Sequence, residues 1–349
     1  MSWEKNLRQT TPYVPGEQPR SPGIIKLNTN ENPYPPAPGV EAVLKGFDAG
    51  RLAKYPDPEA KELVEALAKA YDVDKEKVFV GVGSDDVLAM SFLTFFAGER
   101  PILFPDITYS FYPVWCELFG IPYETVPLDA SFQIRPENYQ RENGGIVIAN
   151  PNAPTGIALP RAKVEDIVKE NPDSVCIVDE AYIDFGGESM LPLIDDYDNL
   201  LVVRTFSKSR ALAGSRIGYA FANPRLMKYL NDVKFSFNSY TMDSVTQAIG
   251  VASVEDKAYF NKTVDRIVAT REKTRQALSD LGFSVLPSQT NFLFARHPKR
   301  SAAELFARLK EKGIYVRYFA SDRIDEYLRI SIGMEDQMDT LCKALSEEV

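Results

Sequence analysis

The sequence predicts an α/β protein: a large domain on a mostly parallel sheet with helices on both faces, followed by a smaller α+β domain. Short apolar segments rich in β-branched residues, such as GGIVIANP, SVCIVDE and LLVVRTFS, alternate with helical patterns such as RAKVEDIVKEN at 161–171. Helices acting as crossovers between parallel strands give that alternation. The pattern changes after about residue 225, where helical stretches dominate before short strands return. A chain of 349 residues also exceeds what one small core organises.

The elements follow in order. The opening MSWEKNLRQTTPYVPGEQPRSPG reads as an extended arm, because Pro12, Pro15, Pro19 and Pro22 prevent a stable helix. PEAKELVEALAKAYD (58–72) has apolar residues at helical spacing. KVFVGVG reads as a strand, Ser84 as an N-cap, and DDVLAMSFLTFFAG as a helix closed by Gly98. PILFP, YETVPL, GGIVIANP, SVCIVDE, LLVVRTFS and RIGYAFANP supply further strands. SVTQAIGVAS and the long DKAYFNKTVDRIVATREKTRQALSDLG, ending at Gly282, are helical. NFLFA, IYVRYF and YLRISIG then alternate with the helices SAAELFARLKEKG and MEDQMDTLCKALSEE. The expected division is an arm at 1–30, a large domain at 31–245 and a small domain at 246–349, without internal repeats.

Composition excludes several functions. A net charge of −9 argues against nucleic-acid partners and anionic membrane surfaces. No apolar run has signal-peptide or membrane-spanning character. Cys116, Cys176 and Cys342 are far apart and odd in number, which suits a reducing cytoplasm; Cys176 reads as an inert core residue. The one histidine, His297, sits in the polar stretch ARHPKRS and reads as a surface residue, leaving no basis for a Ser-His-Asp triad or a multi-histidine metal site. GVGSDD lacks both the third glycine of a dinucleotide fold and the Gly-Lys-Ser/Thr ending of a P-loop.

Ligands of open α/β sheets lie beyond the carboxyl ends of the strands. Polar, Gly- or Pro-rich residues gather there in GSDD (83–86), PDITY (105–109), NPNAPTG (150–156), DEAYIDF (179–185) and SKSRALAGSR (207–216). In the last of these, Lys208 has Arg210 and Arg216 near in sequence. A desolvated lysine among cations loses its proton readily and attacks aldehydes. Arg216 with the hydroxyls of Thr205 and Ser207 suits a phosphate. A Schiff-base lysine beside a phosphate cradle fits pyridoxal phosphate. That cofactor requires a buried carboxylate at its pyridine nitrogen, and Asp179 follows the apolar run VCIV. Tyr182 or Asn152 is placed to donate to the phenolic oxygen. Ser84 and Asp85 open a helix whose free N–H groups attract an anion. Tyr109 is a candidate for stacking on a planar ring.

The ordered set GVGSDDVL, PDITYSFYP, NPNAPTG, VDEAYIDF, TFSKSRALAGSRIGY and YLRISIG resembles the fold-type I pyridoxal-phosphate-dependent aminotransferases over nearly the whole chain. LNTNENPYPP (27–36) and AKYPDP (53–58) make it most similar to the branch that acts on histidinol phosphate. The resemblance implies a seven-stranded sheet and double displacement between L-histidinol phosphate and 2-oxoglutarate. It implies Lys208 as the cofactor lysine and proton-transfer base, Asp179 at the pyridinium, Tyr182 at the phenolic oxygen and Tyr109 on the ring. Ser84, Asp85, Thr205, Ser207 and Arg216 would surround the cofactor phosphate. Tyr55 would reach the neighbouring subunit's cofactor in a homodimer. Arg329 would bind a substrate carboxylate, with Arg317, Tyr13 and Asn30 at the substrate phosphate. One position departs: the family usually carries asparagine before the proline of PTG, and here Ala153 stands there, leaving Asn152 to make the contact. An aromatic amino-acid aminotransferase and a decarboxylase of a phosphorylated amino acid are the nearest alternatives.

Overall fold

Segments buried at every position, with one largely exposed edge strand, assemble into a seven-stranded sheet in the computed structural model, which describes residues 2–349. Ahead of it lie a two-residue strand, β1 (Ile25–Lys26), and the helices α1 (Pro38–Gly46) and α2 (Lys61–Tyr71). The sheet strands are β2 (Val78–Gly81), β3 (Ile102–Pro105), β4 (Tyr123–Val126), β5 (Gly145–Ala149), β6 (Cys176–Asp179), β7 (Leu200–Thr205) and β8 (Gly218–Phe221). Their order is β2-β8-β7-β6-β5-β3-β4, with β8 antiparallel to both neighbours and every other pairing parallel. The helices α3 (Ser84–Phe95), α4 (Tyr112–Phe119) and α5 (Arg161–Lys169) alternate with these strands.

The period of two along each strand separates two cores. Ile146 and Ile148 face one layer with Leu63 of α2 and Val164 of α5. Val147 and Ala149 face the other with Val87 of α3 and Trp115 of α4. The chain continues through α6 (Pro224–Phe237), α7 (Ser244–Glu255) and the long α8 (Lys257–Asp280). A smaller unit follows: β9 (Ser284–Val285), β10 (Phe292–Arg296), α9 (Ala302–Glu311), β11 (Ile314–Tyr315), β12 (Arg317–Tyr318), β13 (Leu328–Ser331) and α10 (Glu335–Ser346). Its antiparallel sheet, β12-β13-β10-β9, encloses a third core with Ile267 of α8 and Leu341 of α10. β1 pairs in parallel with β11 and fastens the arm to this unit.

Several boundaries differ from the sequence reading. Gly83, at φ +87°, caps α3, and Ser84 is its first helical residue; the helix stops at Phe95, short of Gly98. Helix α7 packs on α1 and α2: a Cβ on its Gly250 would lie 3.0 Å from Leu63 Cδ1. The division expected at 245/246 therefore cuts into a helix that belongs with the large sheet. α1, α4 and α6 have no counterpart among the elements read from the sequence. Among the described residues no helix is long and apolar enough to cross a membrane. Cys176 is buried, and burial pushes its thiol up to about 12, the environment of an unreactive cysteine.

Candidate active site

Two adjoining cavities open at the carboxyl ends of the parallel strands. The inner one, about 170 Å³, has Ser84, Asp179, Tyr182, Ser207, Lys208 and Arg216 in its wall. The outer one, about 490 Å³, includes Tyr13, Asn28, Arg317 and Arg329. Tyr109, Ala153, Tyr182 and Lys208 line both, so the two form one continuous space.

At one end of the inner cavity the β7–β8 hairpin sets the geometry. Thr205 pairs with Gly218, which returns Arg216 beside Ser207, Nη1 to Oγ 3.5 Å. Gly81 also pairs with Gly218 and brings the start of α3 to the same point. The fit requires glycine: a Cβ on Gly83 would lie 2.5 Å from Arg216 Nη2. Arg216 holds a left-handed φ of 53°, a strained conformation for a non-glycine residue. Ser207, the unpaired N–H groups of the α3 terminus and this guanidinium make an anion site. The Asp85 carboxylate accepts from Arg216 Nη2 at 3.1 Å and from Tyr109 Oη at 2.9 Å. A carboxylate repels an anion, so Asp85 serves one only through its main-chain N–H. Thr205 lies behind Ser207, whose N–H it accepts at 3.1 Å.

At the other end Asp179 terminates β6. Its Oδ2 accepts from Tyr112 Oη at 2.8 Å and its Oδ1 from the Ala181 N–H at 3.1 Å. Burial nevertheless pushes this carboxyl up to about 6, with the charges of Asp85 and Glu180 adding to the effect. A cation in the cavity would relieve that strain. Between the two ends Lys208 Nζ donates to the Thr29 carbonyl at 3.3 Å and lies 5.6 Å from the centre of the Tyr182 ring. Beneath them Glu180 and Arg204 form a buried ion pair at 2.9 Å that anchors β6 to β7.

In the outer cavity Arg317 and Arg329 are direct cross-strand partners on β12 and β13. Arg329 donates to the Asn28 carbonyl at 3.0 Å and lies over the rings of Phe292 and Phe319. Its Nε is buried without a partner. Burial lowers its pKa from the usual arginine value, and the charge of Arg317 acts in the same direction. Among the described residues no carboxylate pairs with either guanidinium. Two adjacent uncompensated cations call for a ligand carrying two negative charges. Tyr13, stacked on Phe111 at 4.6 Å, closes the cavity from the arm.

The sequence pattern of the family described as "Aminotransferase class I and II" matches residues 22–345. The chain belongs to that family. This aminotransferase is 53% identical over 343 residues to the histidinol-phosphate aminotransferase of Chromohalobacter salexigens, covering 98% of this chain and 97% of that one. It is 52% identical over 347 residues to the enzyme of that name from Lactococcus lactis subsp. cremoris, with 99% and 98% covered. The crystal structure of histidinol-phosphate aminotransferase from Sinorhizobium meliloti in complex with pyridoxal-5′-phosphate superposes with a TM-score of 0.85 at 26% identity, covering 93% of this chain and 90% of that one.

In this aminotransferase most of the residues singled out in the sequence converge on the joined cavity, but Thr205, behind Ser207, and three others do not present a free side chain to it. Asn152 is buried and turned away. Its amide donates to the Ile107 carbonyl at 2.9 Å and to Thr155 Oγ1 at 3.0 Å, and its oxygen accepts from Thr108 at 2.8 Å. Ala153 takes the place on the wall, so Asn152 does not replace the missing asparagine. Asn30 borders the outer cavity, yet its side chain is committed to Tyr182 and Ser331 rather than to a substrate phosphate. Tyr55 is 81% exposed and stacks on Tyr240, away from this chain's own cavity. Sequence reading missed Tyr112, which follows PDITY at the start of α4, and the Thr29 carbonyl, which no side-chain motif signals.

Proposed function

We propose that this aminotransferase binds pyridoxal 5′-phosphate and transfers the amino group of L-histidinol phosphate to 2-oxoglutarate in histidine biosynthesis. The observation that carries the substrate is the Arg317–Arg329 pair. L-Histidinol phosphate has no carboxylate, but its phosphate monoester carries a charge of about −1.5 to −2 at neutral pH, enough for both guanidiniums. 2-Oxoglutarate offers two carboxylates to the same pair. An aromatic amino acid offers one anionic group and leaves the other cation without a counter-charge, so that reading fits less well. The name of the Chromohalobacter relative supports the same substrate.

The inner cavity fits the cofactor by the chemistry of its donors. Ser84, Ser207 and Arg216 would hold the phosphate, with the Asp85 N–H, while Asp179 would face the pyridinium nitrogen and relieve its own buried charge. Tyr109 and Ala153 would border the ring, and Tyr182 its phenolic oxygen. When bound, pyridoxal phosphate supplies an electrophilic carbon for amines and a ring that withdraws electrons from the substrate α-carbon. Lys208 would hold the cofactor covalently and give way to an incoming amine. Its freed amine would serve as the general base and acid for the substrate α-proton. The Thr29 carbonyl, a hydrogen-bond acceptor at 3.3 Å, keeps that amine at the junction of the two cavities. We further propose a cytoplasmic homodimer in which Tyr55 reaches the partner's cofactor phosphate, an assignment supported by the exposure of Tyr55 and of nearby Leu52.

The test is the visible spectrum of the purified protein before and after L-histidinol phosphate is added without a keto acid. A yellow band that is lost and then restored by 2-oxoglutarate is expected. A band indifferent to histidinol phosphate but responsive to phenylalanine would move the substrate to aromatic amino acids. Carbon dioxide release would move the reaction to decarboxylation. No band after reconstitution would end the cofactor assignment.

A further inference from the structure

Behind the inner cavity, three polar side chains form a chain that ends on Tyr182. Ser331, Asn30 and Tyr182 are 2%, 1% and 9% exposed. The Asn30 main-chain N–H lies 2.8 Å from Ser331 Oγ. An amide N–H only donates, so Ser331 accepts there, and its single hydrogen is left for Asn30 Oδ1 at 2.9 Å. The side-chain amide is thereby oriented. Its Nδ2 faces Tyr182 Oη at 2.9 Å and donates to it. The reverse orientation would strand the Ser331 hydrogen in a buried site, at a cost of about 1–3 kcal/mol. Asn30 is further held by a left-handed φ of 55°, which asparagine tolerates, and by Asn291 Nδ2 donating to its carbonyl at 3.0 Å.

The protein side of Tyr182 Oη is therefore an acceptor position, and the one phenolic hydrogen is left for the cavity that the side chain lines. The charged and titratable groups facing Tyr182 are Lys208, Arg329, Tyr109 and Tyr112. None is a carboxylate, and the three carboxylates in the cavity wall are engaged elsewhere: Glu31 by Lys26, Asp85 by Arg216 and Tyr109, and Asp179 by Tyr112 and Ala181. Ala153 contributes only a methyl group to the wall.

We infer that Asn30 and Ser331 are positioning residues that commit Tyr182 to donating a hydrogen bond into the cavity, to an anionic ring oxygen of the bound cofactor. The inference rests on the pyridoxal phosphate reading above. It makes the arm residue Asn30 and the small-domain residue Ser331 part of how the cofactor's ionisation is tuned.

The test is a pH titration of the visible band of the reconstituted holoenzyme. Asn30→Asp replaces the donor by an acceptor of the same shape, which draws the Tyr182 hydrogen away from the cofactor. A donor to an anion favours its ionised form, so losing it should raise the midpoint by about one pH unit, the size of one charge-assisted hydrogen bond. Tyr182→Phe should raise it by a similar amount, and Asn30→Asp should add nothing in the Tyr182→Phe background. Ser331→Ala, which frees the amide to turn, should move the midpoint the same way by less; it carries the test if Asn30→Asp folds poorly. A midpoint unmoved by both Asn30→Asp and Ser331→Ala while Tyr182→Phe shifts it would overturn the inference. So would a full Asn30→Asp shift in the Tyr182→Phe background, which would mark a simple charge effect. A wild-type protein without a pH-dependent band would overturn the cofactor reading first, and this inference with it.

Discussion

The buried Asp179 carboxylate makes the cofactor-free protein sensitive to pH in a direction that can be worked out. Burial raises its pKa from the ordinary 3.8 to about 6. Folding without a cation beside it therefore favours the neutral acid. Its contribution to stability is fully present below pH 3.8 and is lost as pH rises through about 6. Above that, the charged carboxylate costs about 3 kcal/mol, at about 1.4 kcal/mol per pH unit. Asp179→Asn removes this cost. Its amide oxygen can keep one of the two donors, Tyr112 Oη or the Ala181 N–H, while its NH₂ faces the other and forfeits about 1 kcal/mol. The cofactor-free variant should be more stable than wild type by about 2 kcal/mol at pH 8 and less stable by about 1 kcal/mol once the pH is well below 3.8. Urea unfolding of both proteins across this range, at one protein concentration, gives the difference curve in which all other titrations cancel. With pyridoxal phosphate bound, the difference at pH 8 should change sign, because the carboxylate then has its cation. A difference independent of pH in the cofactor-free proteins would refute the reasoning, since Asp179 would then carry no burial cost.

The remaining predictions concern the neighbouring groups. Lys208→Ala should lower turnover by at least about 10²–10⁴-fold while the unfolding midpoint stays near wild type, because the amine donates a single long hydrogen bond, to Thr29; near-normal turnover would end its assignment. Glu180→Gln leaves Arg204 charged and buried without its partner, and chemical denaturation should register a loss of about 3–5 kcal/mol. Arg317→Ala should raise KM for L-histidinol phosphate by about 10–100-fold, the worth of one hydrogen-bonded charge pair, with a smaller change in kcat; an unchanged KM in steady-state kinetics would take the phosphate away from this residue.

What could be read from the sequence is what lies close along the chain. Apart from the edge strand β4, the strands of the large sheet were legible because they are buried on both faces and read as largely apolar runs. Asp179, Lys208 and Arg216 were legible because they follow those runs directly. Of the helices not read, α6 did carry a signal, the Asn223 cap before Pro224 with buried residues recurring at helical spacing, whereas α4 did not. In α4, Trp115 and Cys116 are buried among other apolar residues, with no polar face to set a period. The large domain's end was misplaced because α7 is small-residue-rich and has little amphipathic contrast, so its attachment to α1 and α2 is a tertiary fact.

The site's second layer was illegible for a related reason. In NPNAPTG, neighbouring Asn152 and Ala153 are equally placed by sequence. Only the fold decides that the asparagine turns to Ile107, Thr108 and Thr155 and the alanine to the cavity. The stretch from Asn28 to Asn32 carries this further. It gives a carbonyl to Arg329, a carbonyl to Lys208, an amide to Tyr182 and an amide to the carbonyls of Lys208 and Ser209. Its partners lie in β13, after β6 and after β7, so no local pattern foretells them. Yet these contacts set where the lysine amine rests and which way the tyrosine hydrogen points. The strand ends supply the reactive groups, while a segment of arm and domain boundary fixes their orientation. A substitution there should therefore alter spectra and proton transfer before it alters the fold.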